Sequence, residues 1–278
     1  MPRTRTDDGV ALHWDSHGAG DPLLLIHEFG GDQRSWRPQV AHFARSHRVI
    51  TYAARGYPPS EVPEDPAAYS QERAVADALA VLDAAGAGAA HVIGNSMGGF
   101  CALHLGLTAP GRCRSLVVAG CGYGAHPDHD AAFRAESRAL ADRYDAEGAA
   151  AVAASYGASP GRMFLAEKDP RTYAEHLTVL AEHDPVGAAS TMRGVQAARP
   201  SLYDLRGPLA AMGVPTLLVA GDGDDGILDA NLMLRRTLPA ADLAVLPRSG
   251  HLTNLEEPYL FALLVERFHA RVRAAGRP

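Results

Sequence analysis

His91-Val92-Ile93-Gly94-Asn95-Ser96-Met97-Gly98-Gly99-Phe100-Cys101-Ala102-Leu103-His104-Leu105 passes from one kind of backbone to another within a few residues. It opens as a short apolar burst of strand type and closes as an apolar helix pattern, with G-x-S-x-G between them. A serine hydroxyl projects from so sharp a turn only if the flanking positions lack side chains, because the backbone there passes close to itself. The helix after the turn aims its free N–H groups and dipole back at it, where they stabilise negative charge. In this strand–turn–helix setting Ser96 reads as a nucleophile.

On either side of this stretch, Leu23-Leu24-Leu25-Ile26, Val49-Ile50-Thr51-Tyr52, Leu116-Val117-Val118, Thr216-Leu217-Leu218-Val219 and Leu243-Ala244-Val245-Leu246 repeat the same burst. Such short, nearly unbroken apolar runs suit strands buried on both faces, as in a parallel sheet covered by helices. Helix-like stretches at 36–46, 70–85, 96–109, 228–238 and 256–274 lie between them or come after the last. The alternation predicts an α/β fold with a mostly parallel central sheet flanked by helices. It fails once, over 122–207, where alanine-rich amphipathic segments are punctuated by Gly157, Pro160, Pro170, Pro185 and Pro200. This predicts an inserted helical cap of four or five helices over the ligand crevice, with 1–121 and 208–278 forming the core.

Two further segments come directly after predicted strands. Gly221-Asp222-Gly223-Asp224 comes after the run at 216–219, and Ser249-Gly250-His251 after the run at 243–246. Ser96, Asp224 and His251 then stand at strand carboxyl ends in the chain order of one type of catalytic triad. His251 would take the Ser96 proton, and the aspartate would hold the imidazole tautomer. Asp222, Asp225 and Asp229 crowd the same loop. Asp224 is the choice because it falls one turn past the strand, where it reaches inward. An acid after Val118 is not available, since Cys121-Gly122-Tyr123 holds none.

Composition narrows the classes. The chain has 278 residues, 47% hydrophobic and 21% charged, with 26 basic against 32 acidic side chains and no basic block, which argues against a nucleic-acid partner. The longest apolar-or-glycine run, Leu116 to Ala125, is too short for a membrane span. No secretory signal is visible, and Cys101, Cys113 and Cys121 lack metal-ligand spacing, so a cytoplasmic protein with reduced thiols is expected. No phosphate loop or dinucleotide fingerprint is present, so no cofactor is expected. His126-Pro127-Asp128-His129-Asp130 reads as a helix start capped by Asp128 or Asp130, not a metal site. The 222–226 loop fails the calcium pattern, because Gly226 falls where an acidic ligand is required. His176 and His183 read as surface residues. Tyr144, Tyr156, Met163, Phe164 and Tyr173 either line a pocket or pack the cap.

These residues resemble the α/β-hydrolase superfamily over 9–121 and 208–274. That resemblance implies an oxyanion hole after the third strand of the family fold, where this chain reads His27-Glu28-Phe29-Gly30-Gly31. By it, the Phe29 and Met97 N–H groups bind the oxyanion and His27 is structural. Glu28 stands where the family has glycine. A carboxylate about 6 Å from an oxyanion would repel it by roughly 3 kcal/mol at an effective dielectric near 20, so Glu28 is expected to point away. The elbow and Gly120-Cys121-Gly122-Tyr123-Gly124 are similar to hydrolases that cleave carbon–carbon bonds in ring-fission dienones. Those carry tryptophan after the catalytic histidine, where Leu252 stands here. His251-Leu252-Thr253-Asn254-Leu255-Glu256-Glu257-Pro258 looks more like enol-lactonases and esterases. Arg55-Gly56-Tyr57-Pro58-Pro59-Ser60 matches a family loop, with Ala53 in place of the usual aspartate. Glu28, Tyr123 and Leu252 are the candidate substrate contacts.

The expectation is a cofactor-independent serine hydrolase acting on a small-molecule carboxylic ester or lactone. The alternatives are a carbon–carbon bond hydrolase, a cyclase or lyase reusing the triad, and a small-molecule receptor. Oligomeric state, a homo-oligomer included, is left open.

Overall fold

The computed structural model describes residues 2–276. Eight strands form one sheet in the order β1-β2-β4-β3-β5-β6-β7-β8. They are β1 (Arg3–Arg5), β2 (Ala11–His17), β3 (Asp21–Ile26), β4 (His47–Tyr52), β5 (Ala90–Asn95), β6 (Cys113–Ala119), β7 (Thr216–Gly221) and β8 (Ala241–Leu246). From β4 to β8 neighbours are parallel, while β1 and β2 join antiparallel at one edge. The apolar bursts predict the parallel strands. No apolar burst marks β1 or β2, because β1 is only Arg3-Thr4-Arg5 and Asp15, Ser16 and His17 break any continuous run in β2.

The central strands carry unbroken apolar runs because alternate residues enter different cores. Leu24, Ile26, Val92, Leu116, Val118 and Leu218 pack on one side, with α2 (Gln71–Ala84), α3 (Met97–Thr108) and α10 (Asp225–Thr237). Leu23, Leu25, Ile93, Val117, Leu217 and Val219 pack on the other, with α1 (Arg37–Phe43) and α12 (Pro258–Ala274). Truncating any of these leucines to alanine removes transfer energy and leaves a cavity, about 2–5 kcal/mol.

Between β6 and β7 lie α4 (Pro127–Glu147), α5 (Ala149–Gly157), α6 (Pro160–Lys168), α7 (Pro170–Ala181) and α8 (Pro185–Thr191), before the short α9 (Arg206–Ala211). Prolines open α4, α6, α7 and α8, where the missing N–H costs nothing and the ring pre-sets φ. Helix α4 is capped by the His126 ring, which accepts from the Asp128 N–H at 3.3 Å, so neither Asp128 nor Asp130 plays the expected capping part. The insert shares its core with the sheet's carboxyl edge. Tyr144, Val152, Ala188 and Met192 from the insert form one cluster with Phe29, Tyr57 and Met97.

Candidate active site

Ser96 sits between β5 and α3 at φ 52° and ψ −114°, a positive-φ geometry that a non-glycine residue holds only when its surroundings impose it. The surroundings are visible atom by atom. A Cβ on Gly94 would lie 2.0 Å from the Gly98 carbonyl oxygen, and one on Gly98 would lie 2.1 Å from the Ile26 carbonyl oxygen. The two glycines of G-x-S-x-G therefore let α3 begin hard against β3, and Ser96 is left projecting from the turn.

Asp224 comes after β7 as the N-cap of α10, and His251 lies between β8 and the short helix α11 (Thr253–Glu256). His251 Nε2 is 2.9 Å from Ser96 Oγ, and its Nδ1 is 2.6 Å from Asp224 Oδ2. With Nδ1–H donating to the carboxylate, Nε2 is left to accept from the serine hydroxyl. Asp222 and Asp225 are exposed, whereas Asp224 is buried. Three hydrogen bonds hold the backbone at and beside the histidine. The His251 N–H donates to the Gly161 carbonyl at 2.7 Å, and the Gly250 and Leu252 N–H groups donate to the Glu256 carboxylate at 2.5 and 2.9 Å. Glu256 is buried, and that burial raises its carboxyl above the usual range. Lys168 Nζ, at the end of α6, reaches Ser249 Oγ at 3.0 Å and ties the insert to the same loop. No sequence motif singled out Glu256 or Lys168. The spacing of Glu256 from His251 becomes meaningful only once α11 turns back.

Phe29 and Met97 share one buried cluster, and neither amide N–H is engaged by a protein acceptor among the described residues. The Phe29 ring is buried and meets Tyr57, Tyr144, Tyr156 and His183 edge-on, with ring centroids 6.4, 5.9, 5.6 and 6.1 Å away. His27 accepts the Ala54 N–H through Nε2 at 3.1 Å and, through Nδ1, donates to the Glu28 carbonyl at 2.8 Å, a structural bridge under the loop. Its ring is engaged on both sides.

A cavity of about 440 Å³ opens over the triad, lined by Ser96 and His251 from loops at the sheet's carboxyl edge and by Tyr123, Tyr156, Arg162 and Arg199 from the segment between β6 and β7, among others. Two of the candidate substrate contacts are corrected. Glu28 is buried away from this cavity, where its Oε1 accepts from Ser35 Oγ–H at 2.9 Å. A Cβ on Gly31 would clash with both of those atoms, so glycine there makes room for the pair. Leu252 is likewise fully buried, packed with Leu165 and Leu255. Tyr123 does line the cavity. His176 and His183, expected at the surface, are buried, and burial pushes their imidazoles down to about 3 and about 4. The signal was present for His176, which shares the apolar face of α7 with Tyr173 and Leu180. Tyr144 is fully buried in the shared core, and Met163 is 39% exposed.

Ser96, His251 and Asp224 thus meet in one hydrogen-bonded row at the carboxyl edge of a mostly parallel sheet. The chain belongs to the alpha/beta hydrolase fold family, whose sequence profile matches residues 21–258. It is similar to a candidate carbamate hydrolase of Azorhizobium caulinodans, with 32% identity across 94% of this chain and 95% of that protein. It is also similar to 3-oxoadipate enol-lactonase 1 of Acinetobacter baylyi, with 30% identity across 88% of this chain and 87% of that protein. Among solved structures, a thermophilic esterase from Thermogutta terrifontis, solved with malate bound, superposes with a TM-score of 0.85 at 25% identity, covering 98% of each chain. Among the described residues no helix is long and apolar enough to cross a membrane, and no group of three or more His, Cys, Asp or Glu could hold a metal ion.

Proposed function

We propose that this protein is a serine hydrolase that cleaves a small or medium carboxylic ester or lactone through an acyl-enzyme on Ser96. The observation that carries the reading is the unbroken relay Ser96 Oγ–His251 Nε2 at 2.9 Å and His251 Nδ1–Asp224 Oδ2 at 2.6 Å, opening on one cavity. Ser96 Oγ attacks the carbonyl carbon while its proton passes to Nε2, and Asp224 stabilises the resulting imidazolium. The tetrahedral oxyanion is held by the Phe29 and Met97 amides, which the protein leaves free to donate. Collapse expels the alkoxide, which takes the proton from Nε2. Water then attacks the acyl carbon with His251 as base, releasing the acid and restoring the serine hydroxyl.

The enol-lactonase and esterase names among the relatives support an ester or lactone as the bond cleaved. A fluorophosphonate probe tests the nucleophile. Mass spectrometry is expected to find one adduct on Ser96 and none in Ser96→Ala, together with turnover of simple aryl esters. Absence of labelling in the folded protein, or an adduct elsewhere, would overturn the assignment.

A further inference from the structure

Two guanidinium groups in the cavity have no carboxylate partner. Arg162 enters from the start of α6 and Arg199 from the segment after α8, both buried. Neither takes part in an ion pair among the described residues, whereas Arg34, Arg55, Arg73, Arg112, Arg114 and Arg193 each do. Taking a guanidinium out of water costs several kcal/mol unless something compensates, so two unpaired ones facing one space ask for an explanation.

What holds them is mostly aromatic. The Arg199 guanidinium carbon lies 3.6 Å from the Phe100 ring centroid and 4.7 Å from that of Phe133, and Arg162 lies 4.1 Å from that of Tyr156. Arg199 donates one bond, from Nη2 to the Tyr123 carbonyl at 3.0 Å. Arg162 donates to Ser159 Oγ and Tyr156 Oη at 2.7 and 2.8 Å, while its buried Nε has no partner. Stacking fixes the planes and leaves donors unspent at the edges. The nearby carboxylates do not neutralise them. Asp224 is bound to His251, and Glu136 and Asp225 are exposed at the cavity's lining. Burial lowers the Arg199 pKa to about 10, so it remains a cation at neutral pH.

We infer that Arg162 and Arg199 form a subsite for a carboxylate carried by the substrate, so that the preferred ester or lactone has a free acid group on the part seated under the insert. Three of their ten N–H donors are spent in these bonds, and a guanidinium fork with free donors takes the two oxygens of a carboxylate in parallel hydrogen bonds. This deepens the hydrolase reading above and rests on it for the word substrate, although the anion site itself does not need the hydrolysis.

The test compares 4-nitrophenyl hydrogen glutarate with the neutral 4-nitrophenyl pentanoate. The wild-type protein is expected to favour the half-ester by at least tenfold in kcat/KM. Arg199→Met and Arg162→Met are each expected to cut that ratio by at least tenfold, with partial recovery in the lysine variants. The ratio is taken within one preparation, so loss of folded protein cancels. Calorimetric titration of Ser96→Ala with the half-ester is expected to show saturable binding that weakens at least tenfold when Arg199→Met is added. A wild-type ratio near one, with both esters hydrolysed, would overturn the subsite and leave the hydrolase reading intact. Arginine-dependent binding without hydrolysis of either ester would do the reverse.

Discussion

At the scale of single residues, the site depends on atoms that are missing. Gly98 has the Ile26 carbonyl oxygen where a Cβ would stand, and the obstacle is backbone, which cannot rotate aside. Gly98→Ala must push α3 away from β3, at a cost of about 1–3 kcal/mol. It also moves the Met97 amide, an oxyanion donor in the proposed mechanism, and losing one such donor costs about 10²–10³ in rate. We expect a lower melting temperature and ester turnover reduced more than tenfold. Gly88→Ala, where a Cβ meets nothing, should change neither. Equal effects in differential scanning fluorimetry and esterase assays would rule out the steric account.

At the scale of elements, the insert and the loops at the sheet's carboxyl edge behave as one packed layer. Helix α8 runs into a single π-helical turn, Met192–Gln196, and both end residues of that turn line the cavity, with Arg199 just beyond. A π turn adds a residue to the helix and re-aims the side chains beyond it, a device common at functional sites. On the sheet side, Arg55 is buried and anchors the loop after β4 to α2 through Asp77, with Nη2–Oδ1 at 2.6 Å and Nε–Oδ2 at 2.7 Å. Removing one member of a buried pair strands the other charge. Asp77→Ala is therefore expected to cost about 3 kcal/mol, near the low end for such pairs because Asp8 still contacts Arg55 at 2.8 Å. Urea unfolding measures this, and a midpoint equal to wild type would show that the pair contributes no net stability.

At the scale of the whole molecule, buried histidines set the response to acid. His47, His91 and His269 crowd together at the amino ends of the strands, with His91 and His269 ring centroids 4.1 Å apart. Arg114, Arg273, Asp21 and Glu266 face this group. Burial pushes His91 down to about 4 and His269 to about 2, and His176 and His183 within the insert lie as low. The unfolded chain binds protons to these groups near pH 6.5 while the folded chain does not, so stability is full above that pH and falls as pH drops toward the folded values. Each histidine that stays neutral costs about 2 kcal/mol at pH 5. The urea midpoint should fall steeply between pH 7 and pH 5. A flat profile would mean the interior admits the protons without unfolding.

The chain's order of bursts and turns was enough to place the parallel strands and to single out Ser96, Asp224 and His251 as residues that meet. Double burial makes β3 to β7 continuously apolar, and the elbow's glycines are demanded by contacts within a few residues of Ser96 and with the adjoining strand. Such requirements leave a local mark. Other features have none. Glu28 looks like a departure at the oxyanion loop, yet it turns to Ser35 because Gly31 leaves room there. Leu252 stands next to His251 in sequence, yet its side chain faces Leu165. Arg162 and Arg199, far apart along the chain, belong to no motif that sets them apart among the 26 basic residues. Whether a cation is paired with a carboxylate or left facing a cavity depends on which aromatic rings and acids fold against it. Those neighbours come from distant segments, so packing alone decided the composition of the pocket.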